Sequence, residues 1–244
     1  MKLNILSWNI WGGKYLEEVV NFLRTANADI IALQEVIKEE NSNTAIAIAA
    51  ELGYEPVYAL EMQMSSKWAG PPRKKEEIIK FGNAVLSKHA ISNSTAHELS
   101  ADERRVAVQA DIRMNDAVIH IFSIHLKHDH PQKSDPVALT LQNKQADSLA
   151  RVLPPEKAIV VGDFNAIPGS YAINRISSAL SDAEKNSRTP TWSVYPDGCD
   201  ICRPQGVQYK LDYIFTSRDL TAQSFKVHNS NGSDHLPVSA IVEI

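Results

Sequence analysis

Two short segments of the chain combine acidic, amide and histidine side chains at spacings that suit hydrolytic chemistry. In the first, Asp163 and Asn165 follow the apolar run Ala158–Val161, with Gly162 at the strand end. Residues two apart on a strand point to one side, so a carboxylate and an amide can converge on one ligand. The carboxylate can activate water or bind metal while the amide holds a phosphate oxygen. A plain turn at the strand end is the alternative interpretation.

The second segment, Ser233-Asp234-His235, stands just before the last apolar strand. At a loop-to-strand junction the acid and the histidine can line one cleft, although an Asp-capped turn would have the same sequence. A further acid, Glu35, lies at the end of the apolar run Ile30–Gln34. A carboxylate there is well placed to bind a hard cation such as Mg²⁺, which prefers oxygen ligands.

Several histidines compete for a role in catalysis. His125 ends the apolar run that begins at Ala117, and from there it can donate a proton or a hydrogen bond to a phosphate oxygen. His120 lies in the middle of the same run, which favours a structural histidine with its hydrogen bonds satisfied. His128 and His130 lack further metal ligands at a fitting distance, so we interpret both as loop residues.

The apolar runs that must position these side chains recur from one end of the chain to the other. The predicted strands are Leu3–Trp8, Ile30–Gln34, Ala84–Leu86, Val106–Ile112, Ala117–Ile124, Ala158–Val161, Leu211–Phe215 and Leu236–Val242. The predicted helices are Leu16–Arg24, Asn43–Leu52 and Leu139–Leu153. The layout is therefore mixed α and β.

Local connections refine this layout. The strands that flank Met114-Asn115-Asp116 are close enough to form an antiparallel hairpin, so a purely parallel sheet is not expected. Met62–Lys80 and Ser181–Gly206 are predicted to be irregular, and long loops of this kind commonly shape a site. Because the candidate site residues come from both ends of the chain and no linker divides it, we expect one domain over residues 1–244.

Composition and charge exclude some classes of protein. The net charge of −4 and a pI near 6.1 give no global basic field for binding long duplexes, although a bound cation and local Arg and Lys residues can make a cleft positive. No apolar run approaches the roughly 18 residues that would span a bilayer. The first residues turn polar too early for a secretory signal, so we expect no membrane segment.

Cysteine usage bears on the compartment. Cys199 and Cys202 are the two cysteines of the chain and cannot form a disulfide framework, which favours a reducing cytoplasm. The Cys-x-x-Cys spacing has no second ligand pair and no strand-to-helix context. We interpret it as a loop pair rather than a zinc or redox site.

A wider set of segments, taken in order, resembles the endonuclease/exonuclease/phosphatase superfamily. The segments are Trp8-Asn9, Leu33-Gln34-Glu35-Val36, Gly82-Asn83-Ala84-Val85-Leu86-Ser87, Ser123-Ile124-His125-Leu126, Gly162-Asp163-Phe164-Asn165, Leu211-Asp212-Tyr213-Ile214-Phe215 and Ser233-Asp234-His235-Leu236-Pro237. The resemblance spans nearly the whole chain. It implies an α+β fold, a four-layer α/β/β/α sandwich of two packed mixed, mainly antiparallel sheets with outer helices.

The resemblance also implies a metal site. Glu35 would be the principal ligand of Mg²⁺ or Mn²⁺, with Asn9 nearby to help place metal or phosphate. Asp234 would lie close to the same ion. Two further residues, Asn83 and Arg105, would bind the phosphate of the substrate; a solvated pair is the alternative for Arg105 and its neighbour Arg104.

Catalytic roles follow from the same resemblance. Asp163 and Asn165 would activate water and orient the phosphate, and we favour Asp163 over the Asp-His pair as the base. Asp212 would fix the tautomer of His235, which contacts the scissile phosphate. His125 would stabilise or protonate phosphate oxygens from the other side. The expected reaction is attack of water on phosphorus.

The substrate is less determined. Abasic-site nucleases of the superfamily carry Tyr-x-Pro-Asn where this chain has His125-Leu126-Lys127-His128, which disfavours that activity. We expect a nuclease or phosphodiesterase, with nucleic acid met by the cluster Arg73-Lys74-Lys75, Lys67 and Trp68. The alternatives are hydrolysis of a small phosphorylated metabolite or lipid head group and, more remotely, a non-catalytic binding protein. We expect a monomer in each case.

Overall fold

A computed structural model describes residues 1–67, 70–71, 74–115, 117–129, 134–185, 188–195 and 206–244 of the chain. The Cys-x-x-Cys pair lies outside the described residues. So do Trp68 and Arg73 of the basic cluster, and His130. Within the described residues no helix is both long and apolar enough to cross a lipid bilayer.

Twelve strands, four α-helices and a 3₁₀ helix at Trp11–Gly13 make up the described secondary structure. The strands are β1 (Lys2–Asn9), β2 (Ile30–Lys38), β3 (Glu55–Ser65), β4 (Ile78–Ser87), β5 (Ile91–Ser100), β6 (Arg105–Met114), β7 (Ala117–His125), β8 (Ala158–Asp163), β9 (Ser181–Asp182), β10 (Asp212–Thr216), β11 (Thr221–Val227) and β12 (Val238–Glu243). The helices are α1 (Leu16–Ala26), α2 (Thr44–Leu52), α3 (Pro136–Val152) and α4 (Tyr171–Ser177).

The strands form two six-stranded sheets. The first has the order β11-β12-β1-β2-β4-β3 and the second the order β5-β6-β7-β8-β10-β9. Pairing is parallel between β1 and β2 and between β7 and β8, and antiparallel between the other neighbours. The predicted hairpin of β6 and β7 is confirmed, and both sheets are mixed and mainly antiparallel, as expected.

Apolar side chains divide the molecule into four layers. Residues such as Ile5, Val85, Ile121 and Val161 are buried between the two sheets. On the outer face of the first sheet, α1 and α2 bury their apolar stripes against β1, β2 and β4. On the outer face of the second, α3 and α4 cover β7, β8 and β10. The α/β/β/α sandwich is therefore confirmed.

Several boundaries depart from the predictions: β2 continues to Lys38 rather than Gln34, and β4 begins at Ile78 rather than Ala84. Helix α3 begins at Pro136 rather than Leu139, because the Asp135 side chain accepts a hydrogen bond from the Val137 backbone at 2.9 Å and proline suits a first helical turn. The segment Met62–Lys80, predicted to be irregular throughout, instead contributes ends to two strands: β3 continues to Ser65 and pairs with β4 from Ile78 onward.

The register of the strands determines where the candidate site forms. Asp163 at the end of β8 pairs with His125 at the end of β7 and with Asp212 at the start of β10. In the other sheet, Asn9 at the end of β1 pairs with Gln34 of β2, one residue before Glu35. The polar ends of four strands and the middle of β2 are thus brought to one edge of the sandwich.

Candidate active site

Glycine allows the strand before Asp163 to approach its neighbour closely. Gly162 has a φ of +145°, and a Cβ atom built there would lie 2.0 Å from the carbonyl oxygen of Ile124 on β7. Any other residue would therefore collide with the β7 backbone. The glycine in the Gly-Asp-Phe-Asn segment holds the β7 and β8 ends together, and with them His125 and Asp163.

Asp163 lies at the centre of the cluster. Its Oδ2 accepts a hydrogen bond from Asn9 Nδ2 at 3.1 Å, and its Oδ1 accepts one from the Asn165 backbone N–H at 2.8 Å. His125 Nε2 and His235 Nε2 lie 3.6 and 3.5 Å from Oδ2. Burial, reinforced by the charge of Asp212, raises the pKa of Asp163 to about 7 despite these donors.

His235 is held by Asp212. The His235 Nδ1 atom lies 2.9 Å from Asp212 Oδ2, and both side chains are buried. Burial alone would lower the pKa of His235, but the charges of Asp212 and Asp163 outweigh it and raise the pKa well above its ordinary value. The ring is therefore a cation near neutral pH, with Nδ1–H donating to Asp212 and Nε2–H directed to the Asp163 side.

Glu35 reaches the same cluster from the other sheet through a distortion of β2. Its φ is +55°, and the register with β4 shifts between Leu33 and Val36, which marks a bulge. Asn9 Nδ2 donates to Glu35 Oε1 at 3.2 Å. One amide group therefore joins Glu35 to Asp163 across the two sheets.

The second oxygen of Glu35 is left without a partner. Glu35 Oε2 is buried and has no hydrogen bond within the described part of the chain. Burial, followed by the charge of Asp234, raises the pKa of Glu35 to about 7. Asp234 is half-buried, and its Oδ2 accepts a hydrogen bond from Trp192 Nε1 at 3.0 Å.

This arrangement fits a hard divalent cation. The orphaned Glu35 oxygen and the raised pKa values of Glu35 and Asp163 show that negative charge here lacks full compensation, and carboxylate oxygens are the ligands such ions prefer. Asp163, Asp212 and His235 also present ligand atoms within 4.8 Å of one another. Asp212 and His235 already form a hydrogen-bonded pair, and Asp212 Oδ1, like Glu35 Oε2, has no partner among the described residues.

His125 faces an acid that the sequence did not identify. Glu61 on β3 is 3% exposed, its Oε1 lies 3.7 Å from His125 Nδ1, and it forms an ion pair with Arg105. Burial, together with Arg105, lowers the pKa of His125, so this ring is neutral where His235 is charged. Glu61 occupies a register shift between Leu60 and Met62, and no motif marks it in the sequence.

The remaining predicted residues take different positions. Asn165, with a φ of +49°, donates from Nδ2 to the Leu126 carbonyl at 3.1 Å, and its Oδ1 lies 2.8 Å from His128 Nδ1. His128, interpreted from sequence as a plain loop residue, therefore borders the site. Asn83 is fully buried, donates to the Val106 carbonyl at 2.8 Å and also hydrogen-bonds Glu61. It therefore helps to hold the Glu61 side chain in place.

The structure thus brings together the side chains that the sequence analysis predicted to bind metal or take part in catalysis. Arg105 and Asn83, which were predicted to bind phosphate, are buried beneath them. His120, predicted to be structural, lies 2.7 Å from Asp111 on β6 and is confirmed in that role.

A scan of protein families matches residues 6–235 to the endonuclease/exonuclease/phosphatase family, and the chain belongs to that family. Its members are hydrolases that act on phosphoesters, which supports the same general activity here. A search of curated proteins found no match to the sequence.

Solved structures support the fold. One similar structure is an endonuclease/exonuclease/phosphatase from Beutenbergia cavernae DSM 12333, with a TM-score of 0.77 and 18% identity over 100% of this chain and 72% of that one. A family protein from Leptotrichia buccalis C-1013-b gives a TM-score of 0.73 and 20% identity over 99% and 100% of the two chains. A mannosyl-6-phosphatase from Bacteroides thetaiotaomicron VPI-5482 gives 0.67 and 17% over 99% and 100%.

Proposed function

We propose that this protein hydrolyses a phosphoester by attack of water on phosphorus, with a divalent cation bound at the site. The observation that carries the proposal is the position of Asp163, a buried carboxylate that lies between two histidines of opposite charge state and shares an amide donor with Glu35. A turn or an ordinary ion pair would not bring polar side chains from both sheets together around one carboxylate.

Asp163 is the group best suited to accept a proton from the attacking water. A general base works best when its pKa lies near the working pH, and burial raises the pKa of Asp163 to about 7. The Asn9 amide and the Asn165 backbone N–H fix the two oxygens of the carboxylate, so that its remaining lone pairs point in defined directions.

The two histidines supply different interactions to the phosphate. His235, held as a cation by Asp212, places positive charge beside the oxygens on which negative charge develops. His125, kept neutral, carries a single ring N–H, and with that hydrogen on Nε2 it can donate to a phosphate oxygen. Glu61 Oε1 lies 3.7 Å from His125 Nδ1, beyond hydrogen-bonding distance, whereas Asp212 orients His235 through a contact of 2.9 Å.

Glu35, with Asn9 and Asp234 beside it, would hold Mg²⁺ or Mn²⁺. Such an ion, when bound, supplies Lewis acidity that offsets charge on a phosphate oxygen. The rest of the chemistry belongs to the protein: Asn9 holds the two carboxylates in place, Asp163 takes the proton, and the histidines meet the phosphate oxygens. Arg105 adds a buried positive charge behind His125.

A phosphodiester is our first candidate for the bond that is cleaved, in a nuclease or a phosphodiesterase. A second candidate, a monoester of a small metabolite, is favoured by a cleft of about 520 Å³ beside the site, which is sized for a small molecule. The likeness to a mannosyl-6-phosphatase offers a precedent for such chemistry on this fold.

The experiment is hydrolysis of matched reporters by the purified protein. Bis-p-nitrophenyl phosphate, p-nitrophenyl phosphate and single-stranded and double-stranded oligonucleotides are each incubated with Mg²⁺, with Mn²⁺ or with chelator. We expect turnover that chelator abolishes and that Asp163→Asn reduces by about 10²- to 10⁴-fold. Asp219→Asn, an exposed acid beyond the end of β10 opposite to Asp212, is the matched control.

The proposal fails if Asp163→Asn retains full turnover or if the chelator has no effect. The ratio of diester to monoester turnover then decides between the two candidates. Binding of phosphoesters without any turnover would instead favour a non-catalytic protein on the same scaffold.

A further inference from the structure

The cleft beside the site carries a guanidinium group that the proposed chemistry does not use. We propose that this cleft is a specificity subsite for a second anionic group, a phosphate or a carboxylate, on a small-molecule substrate, and that Arg104 recognises that group. The inference rests on the proposed function, because it takes the reacting phosphate to lie at Asp163 and asks where the rest of the molecule goes.

The cleft is built from three segments on one side of His125. Its lining comes from residues Leu60 to Met64 of β3, Glu103 to Arg105 at the β5–β6 turn, and Lys127 with His128 after β7. The volume of about 520 Å³ lies in the range of sites for small ligands. It is far too small for a nucleic-acid duplex.

The cleft adjoins the candidate active site. Glu61 lines it and lies 3.7 Å from His125, while His128 lines it and contacts Asn165 at 2.8 Å. A phosphate bound beside Asp163 and His125 would therefore have these two residues next to its substituent. The substituent on the His125 side of phosphorus has the cleft as its path.

Charge pairing singles out Arg104 among the cations of the cleft. Arg105 is buried and bound to Glu61, and the Lys127 ammonium is bound to Glu103. Arg104 is exposed, and no carboxylate of the described residues lies within ion-pairing distance of it. Its guanidinium therefore remains available for a planar, two-point contact with a carboxylate or phosphate.

Apolar side chains in the same cleft limit the kind of carbon skeleton to which the second anionic group can be attached. Leu60, Met62 and Met64 line it beside the charged rim, and methionine side chains adapt to ligands of different shape. A short carbon skeleton with an anion at each end matches this combination. A neutral sugar would leave Arg104 without a counter-charge.

The test compares ligands that differ by one anionic group. Glycerol 3-phosphate and 3-phosphoglycerate differ by a hydroxymethyl and a carboxylate, and fructose 6-phosphate and fructose 1,6-bisphosphate extend the comparison to a longer skeleton. Binding to the Mg²⁺-loaded protein is measured by calorimetry, so the result does not depend on turnover. We expect the second anion to tighten binding by about 3- to 10-fold, as for a partly exposed charge pair.

Two variants should act in opposite directions. Arg104→Gln should make the two members of each pair bind equally. Glu103→Gln should release Lys127 and strengthen the preference for the second anion by a few fold, because it removes a negative charge from the rim. Arg113→Gln, an exposed arginine of β6 outside the cleft lining, should leave the preference unchanged.

Equal binding of the paired ligands by the wild-type protein, or a preference that survives Arg104→Gln, would overturn the inference. So would a single-stranded oligonucleotide that binds more tightly than every small ligand and depends on Arg104. Loss of reporter hydrolysis is a separate outcome: if reporters are not hydrolysed but the second anion still tightens binding through Arg104, the subsite stands and the proposed function falls.

Discussion

Replacing Glu35 with glutamine should stabilise the metal-free protein, even though Glu35 lies at the centre of the site. The carboxylate is largely buried, with 14% of its side chain exposed, and one oxygen has no partner among the described residues. Glutamine preserves the shape and still accepts the Asn9 hydrogen bond through its carbonyl oxygen. Its amide nitrogen would replace the orphaned oxygen and face Asp234 and Asp163 as a donor.

The magnitude follows from the pKa of Glu35, which is raised from 4.5 to about 7. Between these values the folded protein binds more protons than the unfolded chain, so stability falls as pH rises through this window and then levels off. A pKa difference of about 2.5 corresponds to about 3 kcal/mol of lost stability at pH 8. Relaxation of the side chains around Glu35 makes this loss smaller. We expect Glu35→Gln to recover about 1 to 3 kcal/mol there, which raises Tm by roughly 3 to 10 °C.

Thermal unfolding in chelator, near pH 8 and near pH 5, measures this directly. The gain should vanish near pH 5, where the wild-type carboxyl is protonated, and the exposed control Glu40→Gln should change Tm at neither pH. With Mg²⁺ or Mn²⁺ at about 100 times its dissociation constant, the wild type should gain about 2.7 kcal/mol and the variant little. A variant less stable than wild type near pH 8 without cation would refute the reasoning about the site's uncompensated charge.

Three further changes test separate parts of the structure. Glu61→Gln should lower the free energy of unfolding by about 3 to 5 kcal/mol, because it leaves Arg105 buried and unpaired; a stability equal to that of Glu40→Gln would contradict the pairing. Gly162→Ala should destabilise by more than about 3 kcal/mol, since its Cβ would meet the Ile124 carbonyl, and an unchanged Tm would exclude the collision. Asp212→Asn should reduce kcat by about 10²- to 10⁴-fold through loss of the carboxylate that orients His235, and steady-state kinetics beside Asp219→Asn would show whether it does.

The sequence was most informative where an apolar run ends in polar residues. Ala158–Val161 and Ala117–Ile124 are buried strands whose composition predicts them, and the residues that follow, Asp163 and His125, could be assigned to one site from their position. The edge strands β5 and β11 lack this signal because most of their side chains face solvent and do not alternate. The seven-residue helix α4 is too short for a clear period.

Glu61 shows what a linear pattern cannot supply. It belongs to β3, whose apolar run Val57–Leu60 was not among the predicted strands, and it lies at a register shift between Leu60 and Met62, 3.7 Å from His125. Glu35 also lies at a bulge, within β2, yet it was found because it follows the apolar run Ile30–Gln34 and belongs to a family motif. A bulge changes the direction in which a side chain points but leaves the amino-acid composition of the strand unchanged. The new direction can therefore be recognised only when the partner strand is known.

The division of the site between two sheets links catalysis to the packing of the core. Asn9 belongs to the first sheet and donates to Glu35 of the same sheet and to Asp163 of the second, so the distance between the two carboxylates depends on how closely the sheets pack. That spacing is maintained by the apolar layer between them and by Gln34, whose Nε2 donates to Ser123 Oγ at 3.0 Å across the sheets. Because packed cores respond to changes as small as one methylene, volume changes in this layer near Gln34 should alter cation affinity before they unfold the protein.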